Sequence, residues 1–316
     1  MKTRAAAILG LGSSAKHVQP FARDSDAAWQ FGLPASNRDA DVIVVFGGDG
    51  TVHRHLAPLV ALRLPVLVVP HGSGNDFARA LNLRGVRDSL HAWRQFASGR
   101  GKVRQIDLGV ITSLNAGGAP APHEPSLQTS GNQKPESRNY FCCVGGIGLD
   151  AEIARLANQL PRWIRSRGGY LLSLLPSLSA FIPPAVTVHA SETDMSSGFT
   201  PRHDGPAMVV AFANAPNYGG GIKIAPKARL DDGQLDICVV GNMGKARLLR
   251  LFPSVYSGSH LRIPEVKYFQ TARLRLETER PMEVYADGEY VCCTPVEVTV
   301  ERAALRVIVL AAQTGL

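Results

Sequence analysis

Two runs of β-branched apolar residues, DVIVVF (41–46) and PVLVVP (65–70), show no alternation with polar residues. Each runs directly into glycines, at GGDGT (47–51) and HGSGND (71–76). A strand apolar on both faces belongs inside a parallel sheet covered on both sides. Around these runs the pattern predicts a strand at AAAIL (5–9) and helices from residue 15 and over about 52–62, 76–81 and 86–98. Strand and helix therefore alternate through the first hundred residues, as in an α/β domain.

From VRQIDLGVI (103–111) the character changes. NYFCCVGGIG, AVTVHAS, AMVVAFAN, QLDICVV, ARLRLETE, MEVYADGEYVCC and VEVTV follow, many alternating apolar with polar residues and separated by turn residues. That pattern predicts an antiparallel β-sandwich. Residues 113–139, rich in Pro, Gly, Ser and Asn, read as a mobile surface insertion. The chain of 316 residues thus divides into an α/β domain over 1–105 and a β-rich domain over 106–303, with the cleft between them as the expected site.

A net charge of +8 favours anionic partners such as nucleotides and anionic lipid surfaces. The basic residues are scattered and no nucleic-acid reader motif occurs, so no nucleic-acid partner is expected. Five cysteines, at Cys142-Cys143, Cys238 and Cys292-Cys293, make a poor disulfide framework. They read as buried, reduced core residues, each adjacent pair pointing to opposite faces of a strand. The N-terminal apolar stretch is short for a secretion signal, and YLLSLLPSLSAFIPPAV (170–186) is interrupted by proline and below membrane-spanning length. A cytoplasmic protein with peripheral contact at the inner membrane face is the expectation.

Three stretches are candidates for chemistry. GGDGT passes from strand to helix through glycines, which frees N–H groups for an anion, and Asp49 suits Mg²⁺ or a water of its shell. HGSGND repeats the design after the next strand. In parallel sheets ligands sit at the carboxyl ends of the strands, where both turns lie. Asn75 and Asp76 also fit plain helix caps. The third stretch, VYADGEY (284–290), is a hairpin signal in which Asp287 and Glu289 place two carboxylates at one turn. GLGSSA (10–15) fits a dinucleotide fingerprint but lacks its later strand-end acid, which argues against a dehydrogenase. His53 and His55, two residues apart, diverge around a helix and do not form a ligand pair.

Taken together, GGDGT, PHGSGNDFAR, NYGGGIKIAPKARLDDGQLDICVV (217–240) and YADGEY strongly resemble the diacylglycerol-kinase catalytic family, which includes bacterial lipid kinases and the sphingosine and ceramide kinases. The resemblance spans about residues 40–310. It implies an N-terminal Rossmann-like α/β nucleotide-binding domain and a C-terminal antiparallel β-sandwich, the tail at 304–316 returning to the first domain. It implies ATP and Mg²⁺ as cofactors and a lipid alcohol, such as diacylglycerol or a sphingoid base, as acceptor at a membrane surface. Gly47, Gly48, Asp49, Gly50 and Thr51 would line the ATP site with Gly72, Ser73, Gly74, Asn75 and Asp76. Asp287 would be the general base with Glu289 beside it, and Asp49 the rival base. Asp150 matches a lipid-head contact. Asp232, with backbone oxygens of Arg229 and Gln234, matches a structural Mg²⁺ site. Homodimers are common in the family.

The chain departs from the family where His53-Arg54 stands in place of the usual Asn-Glu after GGDGT. An NAD-kinase-like enzyme is the rival of the same class, disfavoured by the second and third segments. A catalytically inactive lipid- or nucleotide-binding protein is the rival of another class. Residues 154–175, with Arg155, Arg162, Arg165 and Arg167 beside Trp163 and leucines, form a basic amphipathic segment suited to an anionic interface or to packing on the protein itself.

Overall fold

The computed structural model describes residues 2–114, 138–160, 169–192 and 198–310, without the side chains of 169–172. The expected insertion at 113–139 lies almost wholly outside the described residues, as do Arg162, Trp163, Arg165 and Arg167. The first part of the chain forms β1 (Arg4–Leu9), α1 (Ala15–Arg23), β2 (Ala28–Phe31), β3 (Val42–Gly47), α2 (Asp49–Leu62), β4 (Val66–Pro70), α3 (Asp76–Ala80) and α4 (Val86–Ala97). These strands pair in parallel in the order β2-β1-β3-β4. Every residue of β3 is buried, which is why its sequence does not alternate.

Helix α2 starts at Asp49 and not near residue 52, so the GGDGT turn is itself the helix N-terminus. Extended Gly48 is the residue before the first turn, and Asp49 lies at the positive end of the helix dipole.

The rest of the chain forms β5 (Lys102–Ser113), β6 (Asn139–Phe141), β7 (Val144–Gly148), α5 (Leu149–Gln159), α6 (Gly169–Ala180), β8 (Ala185–Ser191), β9 (Thr200–Ala213), β10 (Leu235–Gly241), α7 (Lys245–Leu251), α8 (Ser254–Ser257), β11 (Val266–Thr271), β12 (Arg273–Thr278), β13 (Glu283–Ala286), β14 (Glu289–Cys293) and β15 (Val296–Val309). One antiparallel layer runs β14-β13-β7-β9-β10-β11. The other runs β9-β8-β12-β15-β5-β6, the long β9 taking part in both. Val188, Phe212, Ile237, Leu274 and Val298 belong to the apolar cluster buried between the layers. The result is the α/β domain followed by an antiparallel β-rich domain that the sequence pattern predicts.

Strands β5 and β15 run through both parts. Residues 296–301 of β15 pair with 108–113 of β5 in the sandwich, whereas 305–309 pair with 102–106 and lie parallel to β4 at Val307–Val66. The register shifts between Glu301 and Leu305, and buried Asp107 fills the break. Its Oδ1 accepts the Ala303 N–H and its Oδ2 the Gly233 N–H, both at 2.7 Å.

Cys142 and Cys143 lie between β6 and β7, not within a strand, and their sulfurs are 3.9 Å apart. The expectation that they face opposite ways is therefore corrected: the chain bends there to bring residues 142–144 onto the hairpin turn. All five cysteines are free, Cys142, Cys143 and Cys238 buried and Cys292 and Cys293 half-buried. Among the described residues no helix is long and apolar enough to cross a membrane.

Candidate active site

The two glycine turns meet backbone to backbone. A Cβ on Gly48 would stand 2.7 Å from the Gly72 Cα, closer than any real contact, so glycine is required there. Asn75 sits at φ 57° and closes the second turn, its Oδ1 accepting the Gly72 N–H at 2.8 Å. Asp49 reaches from the first turn to the second. Its two oxygens accept the N–H groups of Asp76 and Phe77 at 3.0 Å each. The turn residues Gly47, Gly50, Thr51, Ser73 and Gly74 lie around this junction, the methyl and hydroxyl of Thr51 packed over Gly47.

Burial, and then the charge of Asp76, push the Asp49 pKa up to about 6, against the pull of the two backbone donors. Burial also raises Asp76, opposed by the Gly220 N–H on its Oδ2 at 2.8 Å and by Arg79 on its Oδ1. Two carboxylates thus share a poorly solvated place. Gly220 belongs to the Tyr218–Gly221 loop, whose three glycines all have positive φ. That loop ties the second turn to the sandwich.

The third candidate lies on the same junction. Asp287 and Gly288 have φ of 51° and 85°, the left-handed pair that an Asp-Gly hairpin turn requires. The Asp287 side chain points inward and is fully buried. Its Oδ1 accepts the N–H groups of Cys143 and Val144 at 2.8 and 3.3 Å. Its Oδ2 accepts the Cys142 N–H at 2.8 Å and lies 3.1 Å from His53 Nδ1. Burial alone pushes this carboxyl up, but the hydrogen bond and charge of His53, with the backbone donors, bring it below the usual carboxylate range. The next acid, Glu289, reaches the start of α2: a Cβ on Gly50 would lie 2.8 Å from its Oε1.

Asp150, in the first turn of α5, is buried and accepts a 2.6 Å hydrogen bond from Tyr218 Oη. Both residues line a cavity of about 80 Å³ whose walls include Ile153, Leu174, Ile224, Leu248, Phe252 and Ile263. Asp232 lies apart from this group, at the turn before β10, with Oδ1 on the Gln234 N–H at 3.1 Å. Burial and the Asp107 charge raise its pKa. The Arg302 guanidinium covers Gly233 of the same turn, and Arg229 pairs loosely with Asp231 at 3.7 Å. Arg155 is bound to Glu152.

His53, Tyr218 and Asp107 are the members that sequence reasoning passed over. His53 lies four residues after Asp49, hence on the same face of α2, which was a readable signal. Tyr218 begins the YGGG segment. Asp107 gave no signal, since its acceptors' partners lie more than a hundred residues away.

The sequence matches the diacylglycerol kinase catalytic domain over residues 13–111 and the YegS C-terminal NAD kinase beta sandwich-like domain over 144–309. A diacylglycerol kinase of Mycobacterium tuberculosis is 30% identical over 272 residues, covering 86% of this chain and 77% of that protein. A diacylglycerol kinase of Bacillus subtilis is 26% identical, over 81% and 73% respectively. The crystal structure of a Bacillus anthracis diacylglycerol kinase has the same fold, with a TM-score of 0.64 at 18% identity and 98% of each chain covered.

Proposed function

This chain belongs to the diacylglycerol-kinase family of lipid kinases, and we propose that it transfers the γ-phosphoryl group of ATP, with Mg²⁺, to the hydroxyl of a lipid alcohol. Diacylglycerol and sphingoid bases are the substrate classes we favour, taken up at the inner face of the membrane. The carrying observation is the apolar cavity that ends at Asp150 and Tyr218 and shares the Tyr218–Gly221 loop with the Asp76 turn. An alkyl chain in that cavity would bring its polar head towards the two glycine turns and the Asp287 hairpin.

Phosphoryl transfer asks mainly for positioning and neutralisation of charge. The backbone at the start of α2 and at Ser73–Gly74 offers N–H groups to phosphate, those of Gly72 and Asp76 being taken by Asn75 and Asp49. Mg²⁺ fits at Asp49 and Asp76, because burial raises both carboxyls and the charge of Asp76 raises Asp49 further, which calls for a cation beside them. When bound, the ion neutralises the phosphate oxygens. Glu289 faces this region from the hairpin. At Asp232, with the carbonyls of Arg229 and Gln234, the raised carboxyl beside Asp107 fits the structural ion that the family resemblance implies.

The test is transfer of labelled phosphate from ATP·Mg²⁺ to dioctanoylglycerol, sphingosine and ceramide in mixed micelles, with NAD as a soluble acceptor. Label on one of the lipids is the expected result. Label on NAD alone would sink the reading, and ATP binding without transfer to anything would point to a binding protein.

A further inference from the structure

We infer that His53 takes the proton of the lipid hydroxyl and that Asp287 positions it, an assignment that rests on the lipid-kinase reading above. The geometry of Asp287 argues against its meeting the substrate itself. Three backbone N–H groups and the His53 ring occupy its two oxygens, the Cys142 thiol adds a contact at 3.4 Å, and the side chain has no exposure. A hydroxyl approaching from the cleft finds no open lone pair there.

His53 is arranged in the opposite way. An ionised Asp287 can only accept, so Nδ1 carries the proton between them and the neutral ring has its lone pair on Nε2. Among the described residues Nε2 has no hydrogen-bond partner, and it is not one of the buried polar atoms left without one. The ring retains 14% exposure. It therefore presents a base to solvent, one helical turn past Asp49 and beside the hairpin whose Glu289 touches the glycine turn. Asp49, the other carboxylate at the junction, already accepts two backbone N–H groups.

The charged groups facing the ring are Asp287 and Glu289 from the hairpin and Arg54 from its own helix. Burial disfavours the imidazolium and Arg54 adds to this. The bond to Asp287 and the two carboxylate charges outweigh both, leaving the ring a stronger base than free histidine. In the reaction the hydroxyl O–H bond breaks and its proton goes to Nε2. The oxygen bonds the γ-phosphorus as the bond from that phosphorus to the bridging oxygen breaks, releasing ADP. The imidazolium then returns its proton to solvent.

The experiment uses the full chain, ATP·Mg²⁺ and dioctanoylglycerol or sphingosine in mixed micelles. It compares wild type, His53→Ala and Asp287→Asn across pH. His53→Ala should lose roughly 10²–10⁴-fold in kcat with the KM values for ATP and lipid little changed, and added imidazole should restore turnover. Wild-type kcat should rise with pH as His53 loses its proton, on a limb above the pKa of free histidine. Asp287→Asn should move that limb to lower pH, since it removes the charge that holds the proton; a merely structural Asp287 would lower activity and leave the limb in place. His53→Ala that keeps both turnover and limb overturns the assignment alone. A wild type that phosphorylates no lipid overturns the kinase reading and this assignment with it.

Discussion

Asp49 and Asp287 are each buried at a turn and each bound by main-chain N–H groups, Asp49 by two and Asp287 by three. Their pKa values nevertheless move in opposite directions, to about 6 for Asp49 and below the usual value for Asp287. Backbone donors do not account for the difference. The neighbour does: Asp49 faces the anion Asp76, whereas Asp287 faces His53. One carboxylate faces a second anion, the other already has a side-chain hydrogen-bond donor in His53. On the functional reading above, the first is completed by the metal and nucleotide, and the second works with what the chain provides.

The largest expected effect is on stability. Asp287→Ala leaves three N–H groups and His53 without their acceptor, and should cost about 3–5 kcal/mol in urea denaturation. Asp49→Ala should cost clearly less, because it also removes a carboxylate that repels Asp76. Equal losses would break the comparison.

The pH dependence follows from the Asp49 shift. Its folded pKa, about 6, lies above the ordinary aspartate value of 3.8. Between those values the folded protein keeps a proton that the unfolded chain has released, so stability falls as pH rises through that window. The loss should reach about 3 kcal/mol near neutral pH. Denaturation curves at intervals from pH 4 to 7 should show that slope in wild type and a reduced one in Asp49→Ala. Asp287 acts with the other sign: its contribution is present above the unfolded carboxyl pKa and lost in acid, so it cannot produce the same slope.

Gly48→Ala sharpens the contrast from the side of the backbone. The added methyl meets the Gly72 Cα and should cost about 1–3 kcal/mol. It should raise the KM for ATP while leaving the acid limb of kcat, which reports the His53–Asp287 pair, unmoved. The smallest effect belongs to Tyr218→Phe. Losing one hydrogen bond to Asp150 should raise the lipid KM by at most about tenfold.

Much of this was legible in the sequence because it depends on local rules. The unalternating runs placed β3 and β4, the glycines marked turns that admit no Cβ, and Asp-Gly specified the hairpin. What escaped was long-range. His53 meets Asp287 across 234 positions, and its spacing from His55 drew attention to the wrong partner. Glycines in GGDGT read as loop and so place the start of α2 a turn late, although Gly47 ends β3, Gly50 lies inside the helix and Gly48 alone stands between strand and helix. The Cys142-Cys143 bend was hidden inside a run that looks like one strand.

The passage of β15 through both halves has a consequence for how the chain is made. Synthesis delivers β1 to β4 first, yet β4, paired with β3 on one side, gains its second neighbour only when residues 305–309 emerge. Until then the nascent first domain presents the outer side of β4 as an open, apolar edge, a surface prone to pairing with other chains. The first sheet to be synthesised is thus closed by a strand made only after the sandwich strands β5 to β14.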